Sequence, residues 1–91
     1  MIARRLSIAG RVQGVGYRDW LVAEAMAAGL SGWVRNRADG SVEALLAGEA
    51  EAVARVAEAC RSGPPAARVV AVEQEDAEPP ATRGFRRLPT L

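Results

Sequence analysis

The segment GRVQGVGYR puts Gly10, Gly14 and Gly16 within seven residues and closes on Arg18. Glycines let a backbone approach a ligand closely, and successive amides in such a turn can cradle an anion. A helix that begins at Tyr17 would add its N-terminal partial positive charge at the same place. The guanidinium of Arg18, in the first turn of that helix, would add a bidentate grip on a phosphate or carboxylate. The spacing fits neither the dinucleotide pattern G-x-G-x-x-G nor the P-loop G-x-x-x-x-G-K-[ST]. All 12 basic residues are arginine, so a Walker lysine is excluded. Three glycines around the apolar Val15, ending in an arginine, favour an anion cradle. A plain turn with a solvated Arg18 stays open beside it.

Asn36 shares the parity of Val34 and should share its face, where an amide needs hydrogen-bond partners and could orient a water. It also reads as a turn-forming Asn ahead of Asp39-Gly40. Arg35 and Arg37 flank the opposite parity with Trp33, and Arg83, Arg86 and Arg87 gather near the C-terminus. Interleaved basic and aromatic residues can stack bases, but here they read better as a solvated face balanced by Glu43. Cys60 falls on an apolar helix face and reads as a small core residue.

Composition removes other chemistries. The chain has no histidine, which excludes Ser-His-Asp and Cys-His systems and histidine metal sites. One cysteine allows neither an internal disulfide nor a zinc cluster. Asp19, Asp39 and Asp76 are the only aspartates, too few for a carboxylate cage. No metal is therefore expected. A net charge of +1 supplies no broad field for nucleic acid or acidic membranes. The opening MIARRLSIAG lacks the apolar core of a signal peptide, and no apolar run is long enough to span a bilayer. The expectation is a cytoplasmic protein in a reducing compartment, without membrane or nucleic-acid partners.

The elements that must position these residues follow from periodicity. The 91 residues suit one domain, 1–91, with 49% hydrophobic and 25% charged residues. Ile2 to Ala9 alternates as a strand that Gly10 ends. Tyr17, Leu21, Ala25 and Ala28 line one face of a helix that Gly29 caps. Leu30 to Arg37 is a second strand, Asp39-Gly40 marks a hairpin, and Ser41 to Ala47 returns as a third strand. Glu49 to Arg61 is a second helix burying Val53, Val56, Ala57 and Cys60, and Gly63-Pro64-Pro65 stops it. Ala67 to Gln74 is a fourth strand, and Gly84 to Leu88 a short final one. The order βαββαβ is the split βαβ, or ferredoxin-like, plan of the α+β class. It implies an antiparallel sheet with two helices on one face.

The blocks GRVQGVGYR and GWVRNRADGSVEA, with GPPAARV before the fourth strand, resemble the acylphosphatase signature. The likeness runs from Arg5 to about Glu75. The resemblance implies the same ferredoxin-like fold. It also implies hydrolysis of acyl phosphates to carboxylate and inorganic phosphate, without metal or organic cofactor. The family's catalytic arginine corresponds to Arg18 and its catalytic asparagine to Asn36. The phosphate cradle corresponds to the backbone of Gln13, Gly14, Val15, Gly16 and Tyr17. Three positions depart from the pattern. Gly16 stands where many members have a larger side chain. Arg37 follows Asn36 where some carry a small hydroxyl residue, making it a candidate charge at the site's rim. The last strand lacks the usual Phe-x-aliphatic run.

The implied chemistry suits the composition. An acyl phosphate expels a carboxylate whose conjugate acid has a pKa of about 4, so no general acid is required. Positioning and charge stabilisation suffice. The expected partner is a small acyl phosphate, handled by a monomer. An RNA-recognition domain shares the fold plan, but LSIAG and SVEALLAG carry no aromatic platform. Acylphosphatase-like domains also occur within larger carbamoyl-transfer proteins of hydrogenase maturation; a stand-alone enzyme fits 91 residues better.

Overall fold

Alternation in the first strand buries Leu6 and Ile8 and turns Arg5 and Ser7 to the other face. The same logic runs through the computed structural model, which describes residues 1–91. Its elements are β1 (Ile2–Arg11), α1 (Tyr17–Ala27), β2 (Ser31–Asn36), β3 (Val42–Gly48), α2 (Ala50–Ala59), β4 (Arg68–Asp76) and β5 (Phe85–Arg87). The ferredoxin-like order βαββαβ is present, followed by one extra strand.

The sheet has the spatial order β4-β1-β3-β2-β5. β1 pairs antiparallel with β3 and β4, and β2 antiparallel with β3. The antiparallel expectation is thus met over four strands and corrected at the fifth, because β5 lies parallel to β2. The reason is topological. β4 occupies the opposite edge and runs against β2, so a chain that reverses after β4 reaches the far edge in the direction of β2. β1 also runs past Gly10 to Arg11, with a bulge between Ala9 and Gly10 against β4. A bulge bends a strand end without terminating it, and the bend lies just before the glycine loop.

Both helices cover one face. Tyr17, Leu21 and Ala25 of α1 join Val53, Val56, Ala57 and Cys60 in a single core with Leu6, Ile8, Val34, Val42, Ala44 and Leu46. Each fully buried Leu, Ile or Val there contributes about 1.5–3 kcal/mol. α1 ends in a Schellman cap, in which Leu30 N donates to Ala25 O at 2.9 Å and Gly29 N to Met26 O at 3.1 Å. That cap turns the chain directly into β2. No helix is long and apolar enough to cross a membrane.

The other sheet face carries a small apolar group, Ala3, Leu45 and Ala47, with Trp33 packed beside it. Arg35 lies 4.8 Å from the Trp33 ring centroid and donates from Nε to Glu43 Oε1 at 2.8 Å. The expected pairing with Glu43 is therefore present, with Glu43 itself buried at 6% exposure. The desolvated carboxylate is matched by a guanidinium, as a buried charge requires.

Candidate active site

The loop between β1 and α1 alternates the sign of φ. Gly14 has φ 72 and Gly16 φ 81, while no non-glycine residue is positive. Alternating φ turns successive amides toward a common concavity, the nest geometry that binds anions. Gly16 is the N-cap of α1 and offers no side-chain cap. The first helical amide with a backbone partner is that of Trp20, which donates to Gly16 O at 3.0 Å. None of the backbone amides from Gln13 to Asp19 has an acceptor within the protein. A run of free donors at a helix N-terminus is a place for negative charge.

Asn36 ends β2 opposite Val42, facing the helix side of the sheet with Val34. Its backbone is held by β3 on one side and by the C-terminal segment on the other, where Leu91 N donates to Asn36 O at 3.0 Å. The residue is 9% exposed, and Oδ1 is a buried acceptor with no donor. A buried orphan acceptor carries a cost of about 1–3 kcal/mol, which a bound water or ligand donor removes.

Gln13 joins the two halves. Its Nε2 donates to Arg37 O at 2.8 Å and to Ser41 O at 2.9 Å, on either side of the β2–β3 turn. The glycine loop is thereby fastened to the strand end that carries Asn36. Tyr17 fastens it to the other helix, because its hydroxyl donates to the carbonyl of Cys60 at 2.7 Å. Burial pushes the Tyr17 hydroxyl well above the usual tyrosine range and raises the Cys60 thiol to about 11. Cys60 is therefore a protonated core thiol, as its helix position suggested.

A cleft of about 90 Å³ is lined by Val12, Gly14, Gly16, Tyr17, Arg18, Asp19, Asn36 and Arg87. Of the residues singled out in the sequence, Gly14, Gly16, Tyr17, Arg18 and Asn36 meet there. Gln13 turns its side chain to the hairpin, and Val15 packs against the core. Arg18 is half-buried and makes no ion pair with any carboxylate of the chain. Arg37 does not reach this rim. It has the parity of Arg35 and lines a broad concavity of about 750 Å³ on the open sheet face, with Arg5, Glu43 and Glu75. In that larger hollow Arg5 is paired with Glu75, and Glu43 is paired with Arg35 beside it. No cluster of His, Cys, Asp or Glu fit to hold a metal ion exists.

Two residues at the cleft were not apparent from sequence. Arg87 shares the parity of the buried Phe85 and so faces α1, where its Nη1 donates to Asp19 Oδ1 at 2.6 Å. The signal was the parity itself, obscured by a run of arginines that reads as surface.

The fold is ferredoxin-like, and its cleft sets the unpaired amides of a glycine loop and the Arg18 guanidinium against a strand end. Known proteins are similar along the whole chain. The family profile named Acylphosphatase matches residues 4–87. An acylphosphatase from Acidiphilium cryptum is 56% identical over 90 residues, spanning 99% of each chain. The crystal structure of an acylphosphatase from Bacillus subtilis matches with a TM-score of 0.91 at 35% identity, covering 97% of this chain and 99% of that one. HypF from T. kodakarensis matches with a TM-score of 0.86 at 26% identity, over 100% of this chain but 12% of its own. The chain belongs to the acylphosphatase family. It is an enzyme that hydrolyses acyl phosphates to carboxylate and inorganic phosphate.

Proposed function

We propose that Arg18 and the amides from Gln13 to Tyr17 hold the phosphoryl oxygens while Asn36 orients the attacking water. The observation that carries this reading is the meeting of Arg18 and the buried, unpartnered Oδ1 of Asn36 in one small cleft. Oδ1 accepts a hydrogen bond from the water and so aims the water oxygen at phosphorus. The new P–O bond forms in line with the breaking bond to the acyl oxygen, and the carboxylate leaves with that electron pair. The water's proton passes to a phosphoryl oxygen of the substrate, since no titratable base lines the cleft beyond the ion-paired Asp19. Free amides and a guanidinium stabilise charge without reorganising, which is where most of the rate enhancement lies.

In this reading residues 1–91 act as one domain and as a monomer on a small acyl phosphate. A net charge of +1 gives no reason for nucleic acid to bind, and a lone buried thiol suits the cytoplasm. The test is hydrolysis of benzoyl phosphate in EDTA by the wild type, Arg18→Ala and Asn36→Ala. Arg18→Ala should lose both phosphate inhibition and at least about a hundredfold in kcat/KM. Asn36→Ala should lose about a hundredfold in kcat and keep its phosphate affinity. Full activity in Asn36→Ala would remove the water-positioning role.

A further inference from the structure

An anion cleft with a carboxylate in its wall is electrostatically odd. Asp19 follows Arg18 in the first turn of α1 and lines the same cleft as Arg18 and Asn36. A carboxylate there repels a phosphoryl dianion unless its charge is taken up. Arg87 takes it up, through the bond from Nη1 to Asp19 Oδ1, and Asp19 has no other ion pair. Arg87 is in turn the only basic side chain besides Arg18 in the cleft wall. It comes from β5, the edge strand paired with β2, at the register position opposite Val34. Each member of the pair thus restrains the other. Freed of Asp19, Arg87 would be a second guanidinium on the anion. Freed of Arg87, Asp19 would be a negative charge against it.

We propose that the Asp19–Arg87 pair sets the affinity of the cleft for phosphate, holding it tight enough for substrate and loose enough to release the inorganic phosphate product. This rests on the reading of the cleft as the phosphoryl site. A hydrolase whose free amides already grip phosphate gains little from a second free guanidinium, because product bound too firmly occupies the enzyme. Pairing Arg87 with Asp19 cancels its net charge at the rim while leaving its remaining N–H donors available. The pair acts on the phosphoryl oxygens in both ground and transition states, so its effect falls on KM and on product inhibition more than on kcat.

The test is the inhibition constant for inorganic phosphate against benzoyl phosphate hydrolysis, measured at low salt in Arg87→Leu, Asp19→Asn and the double variant. Arg87→Leu should weaken phosphate binding about fivefold and Asp19→Asn strengthen it by about as much. The double variant should return to within about twofold of wild type, and all three differences should shrink at high ionic strength. Both side chains are substantially exposed, at 44% and 73%, so the fold should tolerate each change. Loosening of the edge strand would move Arg87→Leu and Asp19→Asn in the same direction, whereas opposite signs arise only from charge. Shifts of equal sign, or none, overturn the proposal while Arg18→Ala still abolishes phosphate inhibition. Phosphate inhibition that survives Arg18→Ala instead overturns the phosphoryl-site reading and this proposal with it.

Discussion

At the scale of single residues, the proposed site consists of an arginine, an asparagine and backbone amides. Their power lies in placement, and placement at the loop depends on the left-handed conformation of Gly14 and Gly16. Gly16 tests how far this extends. A Cβ built there meets no atom within 4 Å, so the only penalty is the conformation itself, with φ 81. Gly16→Ala should cost about 1–2 kcal/mol in urea unfolding and retain a kcat within a fewfold of wild type. A collapse of activity in a folded variant would mean that the loop must sample conformations open only to glycine. Arg18 and the glycines were legible in the sequence because their types and spacing are local. The orphaned Oδ1 of Asn36 was not, because whether an amide finds a partner depends on what every neighbouring element brings to it.

At the scale of elements, the site is a junction between the β1–α1 loop and the end of β2. The clamp is the Gln13 side chain, with bonds of 2.8 and 2.9 Å to Arg37 O and Ser41 O. Gln13→Ala removes both and should cost about 1–2 kcal/mol of stability, while Arg37 O and Ser41 O keep their backbone donors, Gly40 N and Arg37 N. The loop amides remain, so phosphate affinity should hold, while kcat falls about tenfold as Asn36 drifts from the loop. Unchanged kcat in the destabilised variant would make the clamp purely structural. The sequence placed Gln13 in the cradle through its backbone, and the structure adds the work of its side chain. Both helices and the first four strands were legible to within a residue or two, because apolar spacing and Gly or Pro stops are written locally. Arg37 and Arg87 show the limit. Parity did put Arg37 with Arg35 and Trp33, against its candidacy for the rim, and would have put Arg87 with Phe85 toward α1. A cluster of like residues near the chain end masked that pattern.

At the scale of the whole molecule, the pH response follows from what the composition omits. With no histidine, no side chain has an ordinary pKa between about 5 and 8, so stability should be flat there. Asp39 is held below its usual range chiefly by the hydroxyl of Ser41, then by the Ser41 amide. Its contribution is present above the carboxylate range and is lost as the pH falls through its folded value. Burial raises the Cys60 thiol to about 11 and the Tyr17 hydroxyl further still. The fold favours their protonated forms, so above about pH 8.5 the unfolded chain holds fewer protons and stability falls as pH rises. Melting temperatures from pH 5 to 11 should show that plateau and alkaline decline. In Cys60→Ala, which leaves only Tyr17, the decline should begin near about pH 10. An inflection near pH 6.5 would contradict the scheme.

The sequence by itself determined the order of elements, the face most residues take, and two segments as candidates for the chemistry, since periodicity and turn residues act over a few positions. Only the tertiary structure decided that Arg18 and Asn36 share one cleft, that Gln13 ties them together, and that Arg87 compensates Asp19 there. It also decided that β5 joins the far edge parallel to β2. Strand pairing uses backbone groups that every residue possesses, so the partner of a three-residue edge strand has no local signature. It is set by which edge the rest of the fold leaves open.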